Sequence, residues 1–232
     1  MNEAVKHRVQ TYSESKKTFL HSIFKKITID ARNEFFRIFK QNTKYSISKS
    51  IIDIGTTPSL DAEQNIFLER TKKNHNIACL SNQNCKILSK KYPNIKKFIT
   101  RDGKSTNLPN NSFDIVHSNA TIEHVGSRAN QIMFIKECLR ISKKRVFIQT
   151  PNRFYPIDFH TTLPFIHWLP KNIHRKILKI IGLNFYALEK NLNLLSENDI
   201  ICICKELDIK NFKIIKYKLL FLTSNLIFII KK

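Results

Sequence analysis

The stretch IIDIGTTPS, Ile51 to Ser59, puts an acid, Asp53, and a glycine, Gly55, at the end of a short apolar run. A nucleotide-binding strand–loop–helix unit begins this way, because a glycine lets a ligand approach the backbone closely. Three more apolar runs end in small or polar residues: KKFIT runs into Arg101, Asp102 and Gly103, FDIVHSN ends in Ser118 and Asn119, and RVFIQT leads into Thr150, Pro151 and Asn152. Ligands of an open parallel sheet sit at the carboxyl ends of its strands, so these ends together point to one cleft. Thr56, Thr57, Pro58 and Ser59 stand where a glycine-rich turn would follow Gly55, and the missing G-x-G-x-x-G argues against a dehydrogenase. The histidines and cysteines show no ligand spacing, so no metal site is expected.

The elements that must position these residues are legible from residue 50 onward. Apolar runs at 50–55, 76–80, 96–100, 113–119 and 145–150 read as strands. Helical patterns lie between them, near 61–73 and over the stretch that puts Ile132, Ile135 and Leu139 on one face. Strands alternating with helices imply a parallel sheet covered on both faces. After residue 150 comes an irregular segment rich in proline, histidine and aromatics. A helix is expected over 171–181, stopped by Gly182, and another from Ser196, where Ser196 and Asp199 form a capping-box pattern. FKIIKYKLL and NLIFIIKK read as a closing hairpin, which makes the sheet mixed at one edge. Residues 1–45 are expected to form a basic helical cap and 46–232 the main domain.

The chain has 232 residues, enough for one good core. Forty Lys and Arg against 18 Asp and Glu leave a net charge of +22. Such a charge fits a nucleic-acid or anionic-membrane partner. It fits equally a compositional bias, since the excess is mostly Lys spread along the whole chain beside many Ile and Asn. No Arg-rich cluster with interleaved aromatics reads as a nucleic-acid surface, so no specific nucleic acid is expected. Phe19, Ile23 and Ile27, flanked by Lys16, Lys17, Lys25 and Lys26, could lay the N-terminal helix on a membrane surface or cap the domain. The charged N-terminus lacks a signal-peptide core, and no apolar run approaches the roughly 18 residues of a membrane span. With five unpaired-looking cysteines, these features suggest a cytoplasmic protein.

The block RDGKSTNLPNNSFDIVHSNATIEHVG, residues 101–126, resembles the class I S-adenosylmethionine-dependent methyltransferases, in the small-molecule, type 11-like branch. It carries the acid after strand three, the L-P loop, the FD-x-V strand and the E-H-V that follows. IIDIG is similar to the family's first motif, and TPNRFYPIDFHTTLPFIHWLP is similar to a segment of one subgroup, whose members often look like methylases of surface-glycan or lipid pathways. The resemblance runs from about Ile51 to the C-terminus. It implies an α/β fold, a Rossmann-like three-layer sandwich whose seven-stranded sheet is mostly parallel, with an antiparallel C-terminal edge hairpin.

The resemblance also implies S-adenosyl-L-methionine as cofactor and methylation of an O or N atom of a small-molecule, glycan or lipid-linked acceptor. Asp53, Gly55 and Thr56 would face the methionine end of the cofactor, with Ser118 and Asn119 lining the same cleft. Asp102 would accept from the adenine amino group, Gly103 would leave room for the ring, and Asn82 would meet the ribose. Two departures stand out. Thr57 and Ser59 replace the usual glycines, and Ser81, Asn82 and Gln83 replace the usual acid after strand two, losing charge-assisted strength. They leave room for a second reading, a methyltransferase fold kept as an inactive binding or regulatory protein. A methyl acceptor that is a weak acid needs a general base, for which His124, Asp158 and His160 are the candidates. Phe154, Tyr155, Phe159, Phe165 and Trp168 would form an apolar wall over the acceptor, or simply the core of a lid.

Overall fold

The structure is a computed structural model that describes the backbone of residues 19–232 and the side chains from residue 26 on. In chain order it contains α1 (Phe19–Thr43), β1 (Ile51–Ile54), α2 (Ile66–Arg70), β2 (Ile77–Ser81), β3 (Ile95–Thr100) and β4 (Phe113–Asn119). Then follow α3 (Arg128–Ile141), β5 (Ser142–Pro151), α4 (Lys171–Ile180), α5 (Glu197–Glu206), β6 (Phe212–Leu219) and β7 (Leu222–Lys231).

The strands form one seven-stranded sheet in the order β3-β2-β1-β4-β5-β7-β6, so β3 and β6 are its edges. The first five run parallel to one another, and β7 runs antiparallel to both β5 and β6. The sheet is therefore the expected mixed one. From β1 the chain winds outward through β2 and β3, then returns to place β4 on the other side of β1. This reversal opens a crevice at the carboxyl ends of β1 and β4. The register sets Asp53 opposite His117 and Ile54 opposite Ser118.

Side chains alternate along each strand, so the sheet has two cores. On one face Ile52, Ile54, Val116, Ile148 and Phe228 pack under Phe134 and Ile135 of α3 and Ile200 and Ile203 of α5. On the other, Ile51, Ile77, Ile115 and Phe147 meet Phe35, Ile38 and Phe39 of α1 and Phe67 of α2. The C-terminal half of α1 is thus buried in the same core as the sheet. The side chains of Lys16, Lys17, Phe19, Ile23 and Lys25, on which the membrane expectation rests, lie outside the described residues. Among the described residues no helix is long and apolar enough to cross a membrane.

Local signals explain most element ends. The Ser196 side chain accepts from the Asp199 backbone while the Asp199 carboxylate accepts from Ser196, a complete capping box for α5. Gly182 follows α4 with φ +81°, the left-handed position that ends helices. The helix expected over 61–73 is the exception, because α2 spans only Ile66–Arg70. Side chains capture the preceding backbone instead. Ser59 Oγ accepts from Asp61 N–H, Asp61 accepts from Glu63 N–H, and Asn65 Nδ2 donates to the Thr57 and Ser59 carbonyls. Such local bonds compete with helix formation. Arg32 of α1 fastens the same loop by donating to the Glu63 carbonyl.

Candidate active site

At the end of β1 the polar groups turn on one another. Asp53 is buried, with one carboxylate oxygen 2.6 Å from His117 Nδ1 and the other accepting from Thr56 Oγ1 at 2.9 Å. The His117 ring stacks on Phe67 at 3.7 Å and packs against Phe39 and Phe147. The sequence reasoning missed His117. Its signal was a titratable residue on a buried strand, two positions before Asn119. Ser118 is fully buried and donates to the Ile54 carbonyl at 2.9 Å. Gly55 has φ +95°, and a Cβ there would lie 1.9 Å from Thr121 Oγ1. Thr121 therefore lies over Gly55, where close approach would otherwise admit a ligand. Asn119 is half-buried at the rim of the same crevice. The crevice holds about 90 Å³ and is roofed by Arg32, Phe35 and Phe36 of α1.

At the ends of β2 and β3 the candidates face solvent. Asn82 is exposed. Asp102 is exposed too, and accepts from the Lys104 backbone N–H at 2.8 Å and from its ammonium at 2.7 Å. Partial burial works against its charge, but the bonds from Lys104 hold the carboxyl below its ordinary value. A Cβ on Gly103 would lie 2.9 Å from the Phe134 ring and 3.0 Å from Ile54, so this glycine lets the loop sit tightly on the core. Behind it, Glu137 accepts from Thr106 N–H at 2.8 Å and is gripped through both oxygens by Arg140. The Arg140 hydrogen bonds outweigh burial, and with Thr106 they lower the Glu137 carboxyl to about 2.

Beyond β4 a second polar group gathers. Glu123, fully buried, accepts from Thr150 Oγ1 at 3.0 Å. Its Oε1 lies 4.0 Å from His124 Nε2 and 3.8 Å from His160 Nε2. His124 Nδ1 donates to the Asn191 carbonyl at 2.6 Å, and His160 Nδ1 meets Asp158 Oδ1 at 3.0 Å. The two Nε2 atoms stand 3.1 Å apart. Asp158 is buried behind His160 and also accepts from Thr161 at 2.7 Å, so it orients the ring rather than facing the cleft. Burial opposes the Asp158 charge, but His160 and Thr161 hold its carboxyl well below the usual range. The structure thus brings His124 and His160 together across 36 residues of sequence and adds Glu123, the acid of the E-H-V stretch.

The aromatic segment is ordered by its own backbone. His167 Nε2 is 2.7 Å from the Tyr155 carbonyl, to which Trp168 Nε1 also donates, and Arg153 donates to the His167 and Leu169 carbonyls. Tyr155 is buried, but Phe154, Phe159, Phe165 and Trp168 are each between 41% and 53% exposed, so these four are not the core of a lid.

The comparisons with known proteins agree with this architecture. Residues 59–148 match the family model described as "Methyltransferase domain". No curated protein matches the chain. Among solved structures, magnesium protoporphyrin IX methyltransferase from Synechocystis PCC 6803 with bound SAH is 15% identical, with TM-score 0.59 over 100% of this chain and 94% of that one. A SAM-dependent methyltransferase from Archaeoglobus fulgidus is also 15% identical, with TM-score 0.57 over 90% and 94%. The 1,6-didemethyltoxoflavin-N1-methyltransferase of Burkholderia thailandensis is 10% identical, with TM-score 0.51 over 80% and 71%.

Proposed function

We propose that this chain, a class I S-adenosylmethionine-dependent methyltransferase by domain and by fold, methylates an O or N atom of a small-molecule, glycan or lipid-linked acceptor. The observation that carries this reading is that polar side chains follow the carboxyl ends of β2, β3 and β4. The ends of β2 and β3 offer Asn82 and Asp102 to a ligand, and the segment beyond β4 offers His124 and His160 to an acceptor.

The residues fit the cofactor unequally. At its adenosine end, Asp102 is exposed and ionised and Gly103 keeps the loop low, which suits an adenine amino group and ring. At its methionine end, Thr121 fills the cradle over Gly55, and the crevice of about 90 Å³ is small beside the roughly 300–1,000 Å³ of ordinary ligand sites. When bound, the cofactor supplies an electrophilic methyl group, so the protein's share is alignment and the removal of a proton from the acceptor. Proton removal is promoted by the group formed by Glu123, His124 and His160, with Asp158 positioning His160.

Isothermal titration with S-adenosylhomocysteine tests the reading. Binding is expected, and Asp102→Ala is expected to weaken it by about 1–3 kcal/mol. Absence of binding at roughly millimolar ligand would sink the reading.

The filled cradle favours a second reading, a methyltransferase fold retained as a binding or regulatory protein. S-adenosylhomocysteine binding without methyl transfer to any candidate acceptor would select it. The +22 charge adds neither a nucleic-acid nor a membrane assignment to these readings. Under a compositional origin, binding to DNA is expected to be weak and unselective, whereas a true nucleic-acid site would show a steep log-linear loss with salt.

A further inference from the structure

We propose that Glu123, His124 and His160 bind a first-row divalent metal ion. Each imidazole commits its Nδ1 to an oxygen acceptor, the Asn191 carbonyl at 2.6 Å and the Asp158 carboxylate at 3.0 Å. A neutral ring that donates from Nδ1 carries a lone pair on Nε2. The two Nε2 atoms nevertheless face each other at 3.1 Å. Two lone pairs at that distance repel unless a cation lies between them, either a proton or a metal ion.

The third group decides for the metal. Glu123 Oε1 stands 3.8 Å from one Nε2 and 4.0 Å from the other. Both distances are too long for a hydrogen bond and suit ligands that share one ion. All three ligand atoms lie within 4.8 Å of one another. With metal–nitrogen bonds of about 2.1 Å, nitrogens 3.1 Å apart subtend about 95°. That is a cis pair of an octahedron, whereas a tetrahedral ion would spread them to about 3.4 Å. The carboxylate has to close by about 1 Å to complete a face. Two imidazoles and one carboxylate on one face suit Mn²⁺, Fe²⁺ or Co²⁺ and leave positions for oxygen ligands.

The surroundings hold the ligands as a metal site needs. Asp158 fixes His160 and is itself held by Thr161. Asn191, which fixes His124, donates from its side chain to the Phe185 carbonyl. Thr150 fixes the second oxygen of Glu123. Partners of this kind set the tautomer and direction of metal ligands. An acceptor hydroxyl bound to the ion would lose its proton to water more readily, with the imidazoles serving as ligands rather than bases. This use of the ion rests on the methyl-transfer reading, whereas the site itself does not.

The test uses the full chain, freed of metal by a chelator and desalted, and titrated with Co²⁺ by calorimetry and visible absorption. The expected result is one ion per chain, tight to about micromolar, with weak d–d bands of an octahedral nitrogen–oxygen site. His160→Ala and Glu123→Gln are each expected to weaken binding by about a hundredfold, and Asp158→Asn by about tenfold. Circular dichroism checks that each variant is folded, and the wild-type spectrum alone decides the matter if the variants are not. No binding at roughly millimolar Co²⁺, or equal binding by folded His160→Ala, overturns the site and leaves a shared proton as the cation. S-adenosylhomocysteine titrated into the same sample separates the two proposals: Co²⁺ binding without it keeps the metal site and removes the methyl-transfer reading.

Discussion

The end of β1 and the segment beyond β4 are neighbours in the sheet, yet they use their polar side chains in opposite ways. Around β1, Asp53, Thr56 and His117 form a closed set sealed by the rings of Phe39, Phe67 and Phe147, while Thr121 covers Gly55. Beyond β4, supporting bonds from Thr150, Asp158 and Asn191 turn Glu123, His160 and His124 towards a common point. The first arrangement stabilises a fold, since each buried polar group is answered locally. The second gathers three possible ligand atoms within 4.8 Å of one another. One fold can thus answer its polar groups locally at one strand end while it gathers them round a common point at the next.

Gly55→Ala tests the closed side most severely. The new methyl would collide with Thr121 and meet a φ of +95°, so a loss of about 3 kcal/mol is expected, or about 6–12 °C in Tm. Adding Thr121→Gly should restore the steric part and leave the backbone part. Full restoration would show that Gly55 is needed only for space.

Asp158→Ala tests the poised side. It leaves His160 and Thr161 without their acceptor in a buried place, with an expected cost of about 2–3 kcal/mol by urea unfolding. A loss below about 0.5 kcal/mol would mean that Asp158 does not orient the cluster.

Glu137, which braces the loop carrying Asp102, gives a pH signature. Its folded value of about 2 lies below the ordinary 4.5, so its contribution is present above 4.5 and lost as pH falls towards 2. After allowance for solvent screening, Glu137→Gln is expected to lose about 1 kcal/mol at pH 7 and to match the wild type near pH 2. A constant gap across that range would refute the charged brace.

The smallest expected effect belongs to Thr121→Ala. Clearing the space over Gly55 should tighten S-adenosylhomocysteine binding about fivefold, roughly 1 kcal/mol. Unchanged affinity would place the barrier in the α1 roof instead.

The sheet, its crossovers and the α5 cap were legible because their signals are local: apolar runs, Ser196 with Asp199, and Gly182 after an amphipathic helix. The shortened α2 was not, since side chains of Ser59, Asp61 and Asn65 took the backbone bonds that periodicity assigned to a helix. Asp53, Gly55, Asp102 and Gly103 were found at their strand ends, but not what answers them. Asp53 meets His117 across 64 residues and His160 meets His124 across 36, distances over which a sequence carries no pairing signal. The alignment of β1 with β4 creates the first pair, and the fold of the 152–170 segment creates the second.

Among the described residues the sheet stays open at both sides, and each edge strand carries exposed lysines: Lys96 and Lys97 on β3, and Lys213 and Lys218 on β6. Unpaired strand edges invite a second chain to add on, and lysines there impose repulsion and a desolvation cost on that addition. Part of the +22 charge thereby acts as colloidal protection. Its strength depends on the ionic medium, since a Debye length of about 10 Å at 0.1 M shrinks to about 3 Å at 1 M. Light scattering of concentrated protein should accordingly show attraction between molecules growing as salt is added, the reverse of what a protein held together by surface ion pairs would display.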